Sequence, residues 1–188
     1  MPFVDPALDN QRRNSISATF QQVYDVVSFG TSTASNSTAE YFQSAANTPG
    51  KAYVPGAGRL PDTMTFIVSS IGVKAYYNDQ TQATGLDLAV LGNTELTLTR
   101  NAGAPNFRAL VSSLIFPGGA NPPATTDLPQ FGSGGWNTVL ELPPEQQIVL
   151  QQGDLFTVEI KNGSEALTLS AATELQVVLS GNLLQYTS

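Results

Sequence analysis

The 188-residue chain contains neither cysteine nor histidine. The absence of cysteine excludes disulfide bonds and thiolate chemistry, and it leaves the redox compartment open, because a cysteine-free protein is stable in either setting. The absence of histidine removes the usual general base and the commonest metal ligand of proteins. A chain of this length can bury roughly 70% of its unfolded surface, so its core needs no covalent cross-links. We therefore expect one folded domain without catalytic residues, cofactor or metal.

Basic residues are also scarce. Eight Lys and Arg stand against fifteen Asp and Glu, which gives a net charge of -7 at pH 7. A nucleic-acid-binding protein normally carries a basic stripe, because neutralising phosphates supplies most of its affinity. The basic residues here are scattered, so specific nucleic-acid binding is not expected. The polar residues are mostly Ser, Thr, Asn and Gln, which suits a surface that packs against copies of itself or binds sugars.

Long apolar runs and targeting signals are missing as well. No apolar run approaches the roughly 20 residues of a membrane span. Residues 1–6 show no basic region followed by an apolar region, so we expect no signal peptide. Asn36 and Asn162 each begin an N-glycosylation sequence pattern. Without a signal peptide, we interpret both patterns as chance.

The C-terminal third carries the clearest secondary-structure pattern. Apolar residues alternate with polar ones along residues 155–160 and again along 175–184, as a half-buried strand requires. We expect these two strands to be central and to hold the core together. Asn162-Gly163 lies between them, and this dipeptide best accepts the positive φ angles of a type I′ hairpin turn. The inward apolar positions are Phe156, Val158, Ile160, Leu175, Val177 and Leu179.

Further apolar runs and turn signals predict eight to nine strands, at a spacing typical of a sandwich or barrel. Residues 20–29 also fit a helical spacing, but the pair Val26-Val27 and the following Gly30 favour a strand. Residues 64–77 form the longest predicted strand, with a bulge at Gly72. The remaining predicted strands cover residues 86–90, 96–98, 107–116, 136–142 and 148–150.

The chain divides into an arm and one β domain. Residues 1–19 are interpreted as an N-terminal arm, because two prolines break regular structure and the polar residues after them show no period. The arm is either a frayed terminus or a segment that orders on a neighbouring subunit. Residues 20–188 form the β domain, with long loops at 30–62 and 117–135. The first loop also contains a candidate short helix at 39–46.

Three pairs of acidic residues are candidates for carboxylate catalysis. A hydrolytic pair needs one carboxyl group with a raised pKa and a second one roughly 5–10 Å away. The sequence places none of the pairs in one cleft, so we interpret them as solvated acids in loops and at strand edges. For the first pair, a loop calcium site completed by backbone carbonyls is the alternative. The pairs are Asp79 with Asp87, Glu141 with Glu145, and Asp154 with Glu159.

Two further patterns are weaker candidates for chemistry. Residues 132–135 resemble a phosphate-binding loop, but no Lys-Ser/Thr pair follows, and a strand rather than a helix comes next. Activation of a serine by Lys74 or Lys161 has no positional support. We expect neither pattern to be functional.

The aromatic residues are candidates for sugar binding. Tyr76 and Tyr77 are adjacent in a strand, so one of them is expected to point outward. Trp136 follows a glycine-rich loop. The alternative is that Trp136 lies in the core and the tyrosines lie at the barrel rim.

A pattern in the last third resembles a known family. The residues that carry it are Leu142-Pro143-Pro144-Glu145, Gly153-Asp154-Leu155-Phe156-Thr157-Val158-Glu159-Ile160, and Leu175-Gln176-Val177-Val178-Leu179-Ser180-Gly181-Asn182-Leu183-Leu184. They resemble the closing strands of single jelly-roll coat proteins from tailless icosahedral viruses. The likeness is nearest to the small major capsid proteins of membrane-containing phages and archaeal viruses. It covers about residues 140–186 in pattern, and the whole chain in size and strand count.

This resemblance implies an all-β fold, a single antiparallel jelly-roll sandwich or barrel of about eight strands. In that family, two single-barrel proteins tile an icosahedral shell. The implied partners are copies of this chain, a second capsid protein and an internal viral membrane beneath the shell. The implied location is the virion capsid, after synthesis in the host cytoplasm. The family carries no catalytic residues, so the resemblance assigns none.

The predicted function is therefore that of a structural coat subunit and not of an enzyme. The interaction elements would be the arm at residues 1–19 and the loops at 30–62 and 117–135. A carbohydrate-binding β-sandwich, such as a phage spike or fibre domain, is the alternative prediction.

Overall fold

A computed structural model describes residues 16–48, 52–61, 63–77, 83–115, 139–151 and 153–186. Strands and two short helices make up most of these ranges. In chain order they are β1 (Ile16–Thr33), β2 (Thr38–Tyr41), β3 (Ala46–Thr48), β4 (Ala52–Val54), β5 (Met64–Tyr77), α1 (Gly85–Gly92), β6 (Glu95–Arg100), β7 (Pro105–Leu110), α2 (Val111–Ile115), β8 (Val139–Glu141), β9 (Ile148–Leu150), β10 (Phe156–Lys161) and β11 (Leu167–Tyr186).

The strands form two antiparallel sheets with a nested order of pairing. One sheet runs β3-β4-β1-β11-β5-β8, with β9 also paired to β5, and the other runs β2-β10-β6-β7. From the chain ends inward, the pairs are β1 with β11, β2 with β10, β5 with β8 and β9, and β6 with β7. Successive pairs alternate between the two sheets, which is the strand order of a jelly roll. The predicted all-β jelly-roll sandwich is confirmed.

The core lies between the sheets, and the C-terminal strands are central to it as predicted. β10 lies between β2 and β6, and β11 lies between β1 and β5. Alternate residues of both strands point into the core, as a two-residue period requires. Their buried side chains are Phe156, Val158, Ile160, Leu175, Val177 and Leu179.

The predicted hairpin between these two strands is wrong. β10 and β11 belong to different sheets, so the link between them crosses from one sheet to the other. Gly163 is not among the glycines with a positive φ, which a type I′ turn would require. Asn162 is buried instead, and its Nδ2 donates hydrogen bonds to the carbonyl oxygens of Ala34 and Glu165, each at 2.9 Å. The asparagine therefore fastens two connections together, and its side chain is engaged rather than presented for glycosylation.

β5 has the predicted bounds, but its irregularity lies elsewhere. The pairing with β11 shifts between Ser180 and Gly181, which leaves Ser69 as the extra residue of a bulge; Gly72 is regularly paired. Buried positions accordingly change from even numbers before the bulge to odd numbers after it. β5 has 14 residues and is shorter than β1, with 18, and β11, with 20, so it is not the longest strand.

One predicted strand is helical, and a second is a strand only in its first part. Residues 86–90 lie in α1, because Thr84 caps the helix by accepting a hydrogen bond from the Asp87 backbone N–H. Leu88 and Leu91 are buried at helical spacing against the core. The apolar run predicted as one strand at 107–116 ends its strand at Leu110 and turns into α2. The alternating pattern failed here because short helices that close the end of a sandwich also bury apolar residues.

The predicted loop at 30–62 contains several strand segments. β1 extends to Thr33, and β2, β3 and β4 follow. In the described part of this loop there is no helix, so the candidate helix at 39–46 is wrong. The strand at 20–29 and the short strands at 96–98 and 148–150 are confirmed within β1, β6 and β9.

The last four residues assigned to the predicted arm at 1–19 belong instead to the β domain. Ile16 pairs with Tyr186 and Thr19 with Leu183, so residues 16–19 belong to β1. Residues 1–15 lie outside the described residues, and so does the predicted loop at 117–135. The predicted strand at 136–142 is represented by β8, and its first three residues, including Trp136, are also outside the described part.

Candidate functional site

A groove crosses the face of the seven-stranded sheet that points away from the core. Paired residues of neighbouring antiparallel strands point to the same face of a sheet. Val23, Leu179 and Ile71 are buried in the core, so the paired residues next to them point outward. The first outward row consists of Gln22, Ser180, Ser70 and Glu141. The second consists of Phe20, Asn182, Ile67 and Val149.

We call this groove the outer groove, and its volume is about 450 Å³. Its rim carries Phe20, which is 68% exposed. Its floor is polar and held by its own hydrogen bonds: Gln22 Nε2 donates to Ser180 Oγ at 3.2 Å, and Ser69 Oγ donates to the Ser180 carbonyl at 3.3 Å. The lining residues are Phe20, Gln22, Ser69, Ser70, Glu141, Leu142, Gln147 and Ser180.

A second cavity of about 760 Å³ continues from the outer groove. The two share Glu141, Leu142 and Gln147, and the second also contains Glu145 and Arg100. The Arg100 guanidinium is engaged within the molecule. Its Nη1 donates to the Val149 carbonyl at 2.8 Å, and its Nε lies 3.4 Å from Asp154 Oδ2. The joined surface of the two cavities therefore presents the side chains of Glu141 and Glu145, whereas the positive charge of Arg100 is already engaged within the molecule.

The structure brings one predicted carboxylate pair to a common site. Glu141 and Glu145 line the same cavity. Asp154 lies at the turn before β10, and Glu159 lies within β10, where its Oε2 is 3.0 Å from Lys161 Nζ. Asp79, the predicted partner of Asp87, is outside the described residues.

Asp87 is the centre of a buried hydrogen-bond cluster that joins α1 to β5 and β11. Its side chain is almost fully buried, with 1% of the residue exposed. Oδ1 accepts from the Ser170 N–H at 3.0 Å, and Oδ2 accepts from Ser170 Oγ at 2.5 Å and from Tyr77 Oη at 2.7 Å. The Tyr77 hydroxyl in turn accepts from the Thr84 N–H at 3.0 Å.

This cluster favours the ionised carboxylate. Burial alone would raise the pKa of Asp87, but the hydrogen bonds from the Ser170 hydroxyl, the Tyr77 hydroxyl and the Ser170 N–H outweigh it and hold the pKa below its ordinary value. Both oxygens are already occupied by donors of the chain, so the cluster is built as a structural tie. The alternative prediction of a calcium site at Asp87 has no support from this geometry.

Asp154 forms a smaller cluster at the opposite end of the sandwich. Its carboxylate accepts hydrogen bonds from Asn101 Nδ2 and from the Gln151 N–H, each at 2.7 Å. Burial opposes ionisation of Asp154, but these two donors and the Arg100 charge outweigh it and lower its pKa. The cluster fixes the turn between β6 and β7, where Asn101 and Ala102 both have positive φ angles.

The remaining predicted site residues do not converge. Tyr77 points to the Asp87 cluster, and Tyr76 lies on the opposite face beside Glu174. Burial and then the Glu174 carboxylate raise the pKa of Tyr76 to about 12. Lys161 is paired with Glu159. Residues 132–135 and Trp136 lie outside the described residues.

Among the described residues, no group of three or more Asp or Glu side chains is placed to hold a metal ion. Within those residues, no helix combines the length and apolar character that crossing a bilayer requires. Comparisons of the chain with protein-family models, with curated proteins and with solved structures return no significant match.

Sequence reasoning missed the outer groove because its residues come from four distant parts of the chain. Gln22 is on β1, Ser70 on β5, Glu141 on β8 and Ser180 on β11. Only the register of the sheet brings them into one row. One signal was present in the sequence: the polar pair Ser69-Ser70 interrupts an otherwise apolar strand at the bulge.

Proposed function

We propose that this chain is a structural virion protein, a single jelly-roll coat subunit that associates with copies of itself or with a second coat protein to build an icosahedral capsid. The observation that carries the proposal is the nested strand order of the two sheets. Jelly rolls of this order occur in viral coat proteins and also in lectins. A fold alone does not define a function, so the surface has to be considered as well.

The surface is more suited to contacts than to chemistry. The Asp87 and Asp154 carboxylates are occupied by donors of the chain itself. Within the part of the chain that the structure describes, five large apolar side chains remain exposed: Phe20, Leu86, Leu110, Val149 and Leu155.

These five residues are spread over three parts of the sandwich. Phe20 and Val149 lie on the outer sheet face, Leu86 and Leu110 at the end that carries the helices, and Leu155 at the other end. A subunit in a closed shell needs contacts on several sides, and apolar surface of this kind supplies them. An internal membrane and a virion location belong to the same proposal and rest on the family resemblance.

The test is the mass of the purified protein by light scattering across a concentration series, with electron microscopy of any large fraction. Shells, sheets or discrete oligomers are expected, and the double variant Leu86→Glu, Leu110→Glu should reduce their size. A chain that remains monomeric both alone and with candidate coat proteins from the same virus would contradict the proposal.

The second candidate function is carbohydrate binding in the outer groove. It is favoured by the combination of the exposed Phe20 ring with the polar side chains of Gln22, Ser69 and Gln147, because sugars are bound by ring stacking together with neutral hydrogen-bonding groups. A glycan array with the wild-type chain and with Phe20→Ala would test it. Binding that is lost in the variant supports this function over the first.

A further inference from the structure

We propose that the outer groove binds the N-terminal segment, residues 1–15, of a second copy of this chain. Arg12 and Arg13 would pair with Glu141 and Glu145, and the apolar residues of the segment would cover the apolar rim. The inference rests on the proposed self-associating role and names the surface and the partner through which it operates.

The first reason is that the outer groove and the cavity that continues from it hold two acidic side chains without internal partners: Glu141 lines both, and Glu145 lines the cavity. Glu141 and Glu145 are both exposed, and neither side chain forms an ion pair or hydrogen bond with another described residue. The Arg100 side chain in the adjoining cavity is engaged by Asp154 and the Val149 carbonyl. The surface therefore has a negative potential that a cationic segment would neutralise.

The second reason is the apolar rim beside these acids. Phe20 and Val149 lie at the two ends of one cross-strand row and are 68% and 37% exposed. Ile67 lies between them and is only partly buried. An occupant must therefore offer both cations and apolar side chains.

The third reason is that residues 1–15 offer both. Arg12 and Arg13 are adjacent and make up two of the eight basic residues of the chain, and Phe3, Val4 and Leu8 precede them. Asp5 and Asp9 lie among these apolar residues, so the positive charge of the segment is confined to the end that carries Arg12 and Arg13. Residues 116–138 are the other long segment outside the described ranges. They contain Asp127 and neither Lys nor Arg, so their charge does not complement the groove.

The fourth reason concerns reach, and it selects a second copy. Ile16 lies six residues along β1 and three strands away from Glu141, because Gln22 and Glu141 share a row. At about 3.3 Å per residue and about 4.8 Å per strand, the two Cα atoms are about 24 Å apart. Arg12 precedes Ile16 by four residues, which span at most about 14 Å. The chain's own segment would have to reverse direction at Ile16, be fully extended, and bridge the remaining ~10 Å with the outstretched side chains of Arg12 and Glu141. A neighbouring copy supplies the arginines without these constraints.

A charge-swap experiment tests the pairing in the full chain. Arg12→Glu with Arg13→Glu, and separately Glu141→Arg with Glu145→Arg, should each weaken self-association about tenfold in sedimentation velocity at low salt. Combining all four substitutions restores opposite charges and should restore association. Glu40→Arg with Glu165→Arg is the matched control, because these glutamates lie outside the groove and the net charge changes equally. The control should associate as the wild type does.

Cysteine cross-linking tests the occupant, since the chain has no cysteine of its own. A Leu8→Cys protein mixed with a larger, tagged Val149→Cys protein should give the mixed disulfide dimer, and a Leu86→Cys partner should not. A disulfide formed within single molecules of the Leu8→Cys, Val149→Cys double variant, without mixed dimers, would overturn the choice of a second copy.

The two proposals fail differently. If the wild type self-associates and none of the charge reversals changes it, the docking inference is wrong and the coat proposal stands. If the wild type forms no oligomer at any concentration, self-association is refuted, and the docking inference is refuted with it.

Discussion

Asp87 shows how the fold keeps a carboxylate charged in a buried position. Three hydrogen bonds from Ser170 and Tyr77 replace the water that burial removes. The residues come from three elements, so the cluster ties α1 to both β5 and β11. The cluster should therefore contribute to the free energy of unfolding, and this contribution should depend on pH.

Asp87→Asn should lower the free energy of unfolding by about 2 kcal/mol at pH 7, because the amide presents a donor to hydroxyl groups that need an acceptor. The folded-state pKa of Asp87 lies below its ordinary value of 3.8. The contribution of the Asp87 carboxylate to the free energy of unfolding is therefore complete above pH 3.8 and is lost as the pH falls through the folded-state pKa. Urea unfolding in a series from neutral to acid pH should show the two proteins converging at the acid end.

The control for this series is Glu165→Gln, which changes an exposed carboxylate. It should leave the unfolding free energy within about 0.5 kcal/mol of the wild type. Equal stability of Asp87→Asn and the wild type at neutral pH would show that the cluster contributes nothing.

Two tyrosines, the buried Tyr41 and the partly buried Tyr77, should respond in opposite directions to loss of the hydroxyl. Tyr41 Oη has no hydrogen-bond partner among the described residues, whereas Tyr77 Oη bonds Asp87 and the Thr84 N–H. Burial and then the Asp25 carboxylate raise the pKa of Tyr41, so its hydroxyl stays neutral. Tyr41→Phe should be neutral or stabilising by up to about 1 kcal/mol, and Tyr77→Phe should destabilise by about 1–2 kcal/mol.

Thermal and urea unfolding of the two variants check this contrast, with each serving as the other's control. A Tyr41→Phe variant that is as destabilised as Tyr77→Phe would mean that the Tyr41 hydroxyl does have a partner.

At the scale of elements, the bulge in β5 decides which residues face the core and which face the groove. It places Ser69 and Ser70 at the outer groove and returns Ile71 and Val73 to the core. Gly181 of β11 lies opposite the bulge, and a Cβ added there would overlap the Ile67 carbonyl oxygen. The bulge and the glycine are therefore one feature built from two strands.

Gly181→Ala should destabilise the protein by about 3 kcal/mol, because backbone of a central strand has to move to admit the methyl group. Gly163→Ala is the matched control, since an added Cβ there meets no atom within 4 Å. Urea unfolding should separate the two variants clearly. Similar unfolding free energies for the two variants would show that the β5 backbone moves at the bulge and accommodates the methyl group.

At the scale of the whole molecule, the nested pairing places the first and last strands, β1 and β11, side by side in one sheet. The long ladder between them begins at Ile16 and Tyr186. Residues 1–15 precede this ladder in the chain, and both strands of the ladder pair with described residues only. Folding and assembly can thus be separated by truncation.

Deletion of residues 1–14 should leave the urea midpoint within experimental error and abolish or strongly reduce self-association, as measured by light scattering. Deletion of residues 1–9 is the matched control, because it keeps Arg12 and Arg13 and should retain part of the association. Normal assembly of the longer truncation would contradict a role for the arm.

The sequence by itself determined the all-β class, the bounds of β5 and the central position of β10 and β11. Each of these follows from a two-residue period of apolar side chains, which is a local property and can be recognised in the sequence alone. The same period was insufficient for residues 86–90, where the Thr84 cap and the burial of Leu88 and Leu91 produce α1.

The tertiary structure alone decided which strands pair, and therefore the candidate site. Asn162-Gly163 has the composition of a hairpin turn, yet β10 and β11 enter different sheets because each finds its partners elsewhere in the chain. The outer groove likewise depends on the register of β1, β11, β5 and β8, with one extra residue at Ser69. Register is set by contacts between residues far apart in the chain, and local sequence patterns do not encode such contacts.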